Sequence, residues 1–148
     1  MKIAVIGAKG MLGRELCRVL GSQHQILAWD IDEIDITDRP RTVELLGAER
    51  PELIVNSAVF VDLEGCEANP ERAWRINAVG AQNLALAAQQ VESVLVYIST
   101  DYIFDGRSET DYDEVSQPNP LNQYGRSKLA GERLSLQICP RTYVVRTA

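Results

Sequence analysis

Tyr124 and Lys128 stand four residues apart in Tyr124-Gly125-Arg126-Ser127-Lys128, a spacing that sets a phenol and an ammonium on one face of a helix. Such a pair can act as an acid–base couple. A tyrosine with an ordinary pKa of about 10 keeps its proton at neutral pH, so rapid exchange with a substrate oxygen calls for a downward shift of about three units, or ~4 kcal/mol. A cation ~4 Å away contributes about 1 kcal/mol in water and about 4 kcal/mol at an effective dielectric near 20. The lysine therefore suffices only in a pocket that excludes most water. Surface helices often carry Tyr and Lys at this spacing by accident, so the pair gains meaning from what accompanies it.

The start of the chain supplies the first companion. Lys2 to Ile6 is an apolar run suited to a buried strand, followed at once by Gly7-Ala8-Lys9-Gly10-Met11-Leu12-Gly13 and a helical pattern. Strand, glycine turn and helix together make a phosphate-binding arrangement. Gly7 allows a tight turn, Gly10 allows a pyrophosphate to approach the backbone, and Gly13 lets the helix lie close on the sheet. The anion then meets the N–H groups at the helix N-terminus, those of Met11 and Leu12 among them. The spacing is Gly-x-x-Gly-x-x-Gly rather than the Gly-x-Gly-x-x-Gly of the standard dinucleotide fingerprint.

Length and composition bound the rest. A chain of 148 residues reads as one domain, long enough to bury about two thirds of its unfolded surface. With 45% apolar and 24% charged residues, and no apolar run near eighteen residues, neither disorder nor a membrane span is indicated. The N-terminus shows no signal peptide. A net charge of −6 repels a phosphate backbone, which sets nucleic acid aside as a partner. Cys17, Cys66 and Cys139 are odd in number and widely spaced, so neither a disulfide framework nor a zinc site is expected, and reduced thiols place the chain in the cytoplasm. His24, the single histidine, reads as a surface residue ahead of the second strand.

Strand-like runs recur at Lys2 to Ile6, Gln25 to Trp29, Leu53 to Asn56, Ser93 to Ser99 and Tyr143 to Thr147. Helical patterns separate them. Met11 to Leu20 carries Leu12, Leu16, Val19 and Leu20; Pro40 and Pro70 stand where helix N-termini accept proline, the latter behind Asn69 as cap. A helix from about Pro70 to Gln90 presents Trp74, Ile76, Leu84 and Leu86 to the core. The alternation predicts an α/β fold, a doubly wound parallel sheet with ligand beyond the carboxyl ends of its strands. Asp105 to Asn122, with Gly106, Pro118 and Pro120, reads as an active-site loop.

Two further stretches follow the fourth strand: Ser99-Thr100-Asp101-Tyr102-Ile103-Phe104-Asp105-Gly106, and Pro120 to Glu132 around the Tyr/Lys pair. With the glycine turn, Asn56-Ser57-Ala58, Leu63-Glu64-Gly65-Cys66-Glu67 and Ile76-Asn77-Ala78, they run in order across nearly the whole chain. In these motifs the sequence resembles the extended short-chain dehydrogenase/reductases and, within them, the dTDP-4-dehydrorhamnose reductase family. The resemblance implies an NAD(P)-binding Rossmann domain over residues 1–148, with the family's C-terminal substrate-binding region absent from the chain. It also implies an oxidoreductase that uses NADH or NADPH to reduce a nucleotide-linked 4-keto-6-deoxy sugar, dTDP-4-dehydro-L-rhamnose to dTDP-L-rhamnose. A homodimer is compatible with it, and no metal is called for at the site.

Residue by residue, the resemblance makes Tyr124 the general acid, Lys128 the group that lowers the phenol pKa and holds the nicotinamide ribose, and Thr100 a hydrogen-bonding partner of the substrate carbonyl. Asp101 would touch the sugar, and Asn77 would steady the lysine. Asp30, about twenty residues beyond the glycine turn, is placed to accept both adenosine ribose hydroxyls and favours NAD, whereas Lys9 stands where related enzymes contact a 2′-phosphate. Asp35 and Ile36 would flank the adenine, and Ala58, Val59, Phe60 and Ile98 would line the dinucleotide groove. Phe60, Val61 and Glu64 depart from the family's usual tyrosine or histidine, threonine and aspartate, and the first two remove hydroxyls that could contact the cofactor. Tyr102 stands where related dehydratases carry a glutamate, which disfavours dehydration. The alternatives are another sugar-nucleotide reductase or epimerase, or a non-catalytic dinucleotide-binding subunit resembling the beta subunit of methionine adenosyltransferase.

Overall fold

A computed structural model describes residues 1–148. Five parallel strands, β1 (Lys2–Ile6), β2 (Gln25–Trp29), β3 (Leu53–Asn56), β4 (Val94–Thr100) and β5 (Thr142–Thr147), form one sheet in the order β2-β1-β3-β4-β5. From β1 the chain crosses to β2 on one side and returns to β3 on the other, so the strand order reverses between β1 and β3. This is the doubly wound sheet expected, and its switch point opens a crevice at the carboxyl ends of the strands. The strand runs were readable because parallel strands buried on both faces are continuous apolar segments: Ile3, Ala4, Val5 and Ile6 are all buried.

Two hydrophobic layers hold the sheet. On one face Ala4, Ile6, Ile54 and Leu95 pack against Leu46 of α2 (Arg39–Glu49) and Leu84 of α5 (Ala81–Gln90). On the other, Ile3, Val5 and Val55 meet Leu16 and Leu20 of α1 (Met11–Leu20). Leu12 and Val19, expected on the same apolar stripe, are exposed. The stripe that meets the sheet is narrower than the sequence suggested.

The helix expected from Pro70 to Gln90 is present but not uniform. It begins as α4 (Pro70–Trp74), widens into a π-helical stretch over Arg75–Gly80 and resumes as α5. Asn69 caps it, its Oδ1 accepting the Arg72 N–H at 3.0 Å, with Pro70 in the first turn. The buried face runs through Ala73, Asn77, Ala81, Leu84 and Ala88. That face turns Trp74 outward, leaving it 49% exposed rather than in the core. Ile76 is half-buried, and Leu84 alone of the four expected core residues is fully enclosed.

A short α3 (Leu63–Ala68), which no periodicity announced, starts at Asp62, whose Oδ1 accepts the Gly65 N–H. Asn122 caps the long α6 (Gln123–Ile138) through the Gly125 N–H at 2.7 Å. His24 is half-buried, with its Nδ1 lacking a partner, rather than a plain surface residue. The three cysteines are free. No helix is long and apolar enough to cross a membrane.

Candidate active site

The glycine turn follows β1 directly. Gly7 adopts φ +81°, and a Cβ there would lie 2.7 Å from the Ala58 nitrogen, so this position has neither the conformation nor the room for a side chain. Gly13 serves the close packing expected of it, since a Cβ would fall 2.1 Å from the Gly7 carbonyl oxygen. Gly10 ends the turn as the N-cap of α1 with no side chain to cap it. The N–H groups of the first helical turn at Met11, Leu12 and Gly13 therefore point outward without an intrahelical acceptor. That is a cradle suited to a diphosphate.

Beyond this turn a groove runs along the carboxyl ends of the strands in two joined cavities that share Gly10, Ser57 and Val59. The one on the β2 side, about 510 Å³, takes in Gly7, Asp30, Asp35, Ile36, Ala58 and Phe60. The one on the β4 side, about 650 Å³, takes in Met11, Leu12, Gly13, Ile98, Thr100, Asp101, Tyr124 and Lys128. Every residue that the sequence marked as a catalytic, cofactor or substrate candidate thus lines one continuous groove. Arg72 and Ile31 also line it without belonging to any motif, and Ile76, expected only in the core, forms part of its wall.

On the β4 side, α6 brings Tyr124 and Lys128 together with Thr100 at the end of β4. Gly125 makes this approach possible: a Cβ there would sit 2.2 Å from the Tyr102 carbonyl oxygen, in the turn that follows Thr100. Tyr124 is 7% exposed and Lys128 3%. Tyr102 meets the Tyr124 ring edge-on, with centroids 5.6 Å apart.

The Lys128 Nζ donates to the Ile98 carbonyl at 2.6 Å and lies 4.2 Å above the centre of the Tyr97 ring. Burial depresses it to about 7, against the opposing pull of the Glu132 carboxylate one turn along the helix. Burial also pushes the Tyr124 phenol up, with the Thr100 hydroxyl opposing it. The expected lowering of the phenol by Lys128 is therefore not the balance found here. The ammonium is spent on Ile98 and the Tyr97 face, and desolvation dominates both groups.

Asn77 also departs from expectation. Its side chain does not hold Lys128. It clamps Phe60, accepting from the Phe60 N–H at 2.8 Å and donating to the Phe60 carbonyl at 3.0 Å, and reaches Ser127 Oγ at 3.0 Å. The Asn77 carbonyl receives the Tyr97 hydroxyl at 3.1 Å.

At the β2 end, Asp30 braces the glycine turn: its Oδ2 accepts the Lys9 N–H at 2.8 Å and its Oδ1 the Ile31 N–H at 2.9 Å. Each carboxylate oxygen retains a second lone pair for a ligand hydroxyl. The Lys9 ammonium pairs with Asp32 and lies 3.9 Å from Glu33, so these carboxylates already engage the cation expected to serve a 2′-phosphate.

Fold and groove together define a Rossmann-type α/β unit in which a tyrosine, a lysine and a threonine meet at one end of a dinucleotide-sized channel. More narrowly, the chain belongs to the RmlD substrate binding domain family, whose model matches residues 1–148. It is 39% identical over 149 residues to the dTDP-4-dehydrorhamnose reductase of Mycolicibacterium smegmatis, covering 99% of this chain and 45% of that protein. The crystal structure of a dTDP-4-dehydrorhamnose reductase from Clostridium acetobutylicum superposes with a TM-score of 0.98 at 38% identity, over 100% of this chain and 53% of that one. The Bacillus anthracis dTDP-4-dehydrorhamnose reductase, solved in complex with NADP, gives 0.95 at 36% identity, over 98% and 52%. The chain thus spans about half the length of the relatives it matches.

Proposed function

We propose that residues 1–148 are the dinucleotide-binding part of an NAD(P)H-dependent reductase acting on a nucleotide-linked 4-keto-6-deoxy sugar, most specifically dTDP-4-dehydro-L-rhamnose. The convergence of Thr100, Tyr124 and Lys128 on the same groove as the open N-terminus of α1 carries this reading. The reductases named above, one of them solved with NADP, support it.

The residues present fit a dinucleotide. The first-turn N–H groups of α1 would hold the diphosphate, the Asp30 carboxylate the adenosine ribose, and Asp35 and Ile36 the base. Ala58, Val59, Phe60 and Ile98 form the groove wall. When bound, the reduced nicotinamide supplies the hydride. Tyr124 Oη then donates its proton to the carbonyl oxygen of the sugar, and Thr100 Oγ1 holds that oxygen in place. Lys128, one helical turn on, would hold the nicotinamide ribose, and its positive charge would favour the phenolate that remains. Asp101, beside Thr100, contacts the sugar. The grip on the nucleotide portion of the substrate falls to the half of the relatives that lies outside the match.

Titration of this chain with NADH and NADPH, with and without dTDP-4-keto-rhamnose, followed at the nicotinamide absorbance, tests the reading. Dinucleotide binding with slow turnover is the expected result. Failure to bind either dinucleotide overturns the proposal, and turnover at the rate of full-length reductases overturns the division of labour between the two halves.

A further inference from the structure

One side chain of the β2-side cavity is used neither by the motifs nor by the chemistry above. Arg72, in the first turns of α4, lines the cavity together with Ile31, Ile36 and Ile76. Its guanidinium carbon lies 4.5 Å above the centroid of the Phe60 ring. It takes part in none of the chain's ion pairs. The other cation lining this cavity, Lys9, is already held by Asp32.

The shelf under Arg72 is fixed. Asn77 clamps the Phe60 backbone at both its N–H and its carbonyl. The ring packs against Cys66, Ala73 and Tyr124. Gly65 leaves it room, since a Cβ there would come within 2.9 Å of the Phe60 Cζ. Asn69 anchors the other side, capping α4 through the N–H of Arg72 itself.

The groove dictates what lies opposite. A dinucleotide whose diphosphate sits on the N-terminus of α1 and whose ribose meets Asp30 must send its base onward into the slot walled by Ile31, Ile36 and Ile76. A purine in that slot would lie beside Arg72, which lines the same cavity. A guanidinium is planar and weakly hydrated, and it stacks on aromatic faces.

We propose that Arg72, held over the Phe60 ring, is a binding residue for the adenine ring of the dinucleotide, the middle layer of a Phe60–Arg72–adenine stack. The proposal rests on the dinucleotide reading above. It gives Phe60 a role that needs no hydroxyl, as the platform that orients the cation.

Dissociation constants of NADH, ADP-ribose and reduced nicotinamide mononucleotide for the wild-type chain, Arg72→Ala, Phe60→Leu and the double variant test it. Arg72→Ala should weaken NADH and ADP-ribose by about three- to thirty-fold, the range of a partly desolvated cation–π contact, and leave the mononucleotide unchanged. Phe60→Leu should weaken the same two ligands, with little added effect once Arg72 is gone. Unchanged NADH affinity in Arg72→Ala, or an equal loss for the mononucleotide, overturns the stack while leaving the dinucleotide reading intact. A wild-type chain that binds neither NADH nor ADP-ribose overturns both.

Discussion

At the scale of single residues the site is governed by burial. Lys128 is almost wholly enclosed, and its pKa falls to about 7, well below the 10.5 of an ordinary lysine. Between those values the unfolded chain holds a proton that the folded chain has released, so this group makes the fold more stable as pH rises from about 7 to 10.5. Urea unfolding of wild type and Lys128→Met across that window should show the difference between them shifting steadily in favour of wild type. A difference that stays flat means that the lysine ionises normally. Tyr124 carries the proton of the proposed reaction. In a reductase that joins these residues to the second half of its relatives, Tyr124→Phe should lower kcat by about 10²–10⁴ and leave dinucleotide affinity nearly unchanged, as for loss of a general acid. An unaltered kcat removes the phenol from the mechanism. The positions of these side chains in the groove were legible from the sequence, but their partners were not. Lys128 bonds to Ile98 thirty residues away and Asn77 to Phe60 seventeen away, and no local spacing encodes such contacts.

At the scale of elements, legibility follows the physical cause of each. The strands declared themselves because burial on both faces demands unbroken apolar runs, and α4 because Asn69 and Pro70 mark its start. The π-helical stretch at Arg75–Gly80 has no compositional mark; it contains Asn77, which bonds to both Phe60 and Tyr97. The pairing of α6 with β5 was equally hidden. Glu132, 2% exposed, accepts a two-pronged contact from Arg146, with Nε at 3.1 Å and Nη2 at 2.9 Å, and the same guanidinium reaches the Glu114 carbonyl in the loop between β4 and α6. Arg146→Met strands that carboxylate among packed side chains and should cost about 3 kcal/mol in urea unfolding, whereas replacing both partners with apolar residues of similar volume should cost far less. Equal losses in the two variants count against a buried ion pair. Two connections carry strain of the opposite kind, since Arg50 at φ +44° and Glu92 at φ +60° hold left-handed conformations. Arg50→Gly and Glu92→Gly should each raise stability by up to about 1 kcal/mol, read as a higher Tm.

At the scale of the whole molecule, charge should decide which dinucleotide the proposed cofactor groove prefers. The chain carries a net charge of −6, and acidic residues crowd the β2 end: Asp30 and Asp35 line the cavity, with Asp32 and Glu33 beside them holding Lys9. A 2′-phosphate placed there meets carboxylates; of the two cations lining the cavity, Lys9 is already held by Asp32 and Arg72 stands apart over the Phe60 ring. Each carboxylate ~6 Å from the phosphate costs about 0.7 kcal/mol even at the dielectric of water, so two or three of them discriminate by about tenfold or more. NADH should therefore raise the Tm at lower concentration than NADPH. Because the contributing charges are exposed, the preference should shrink as salt is raised from about 0.01 to 0.5 M, where the screening length falls below the span of the acidic rim. Asp32→Asn releases the Lys9 ammonium and removes one carboxylate, so it should move the NADH-to-NADPH affinity ratio toward NADPH more than Asp38→Asn, a change at a carboxylate that pairs with no cation. A ratio that ignores both salt and Asp32 would place the discrimination in the shape of the adenosine slot instead of in its field.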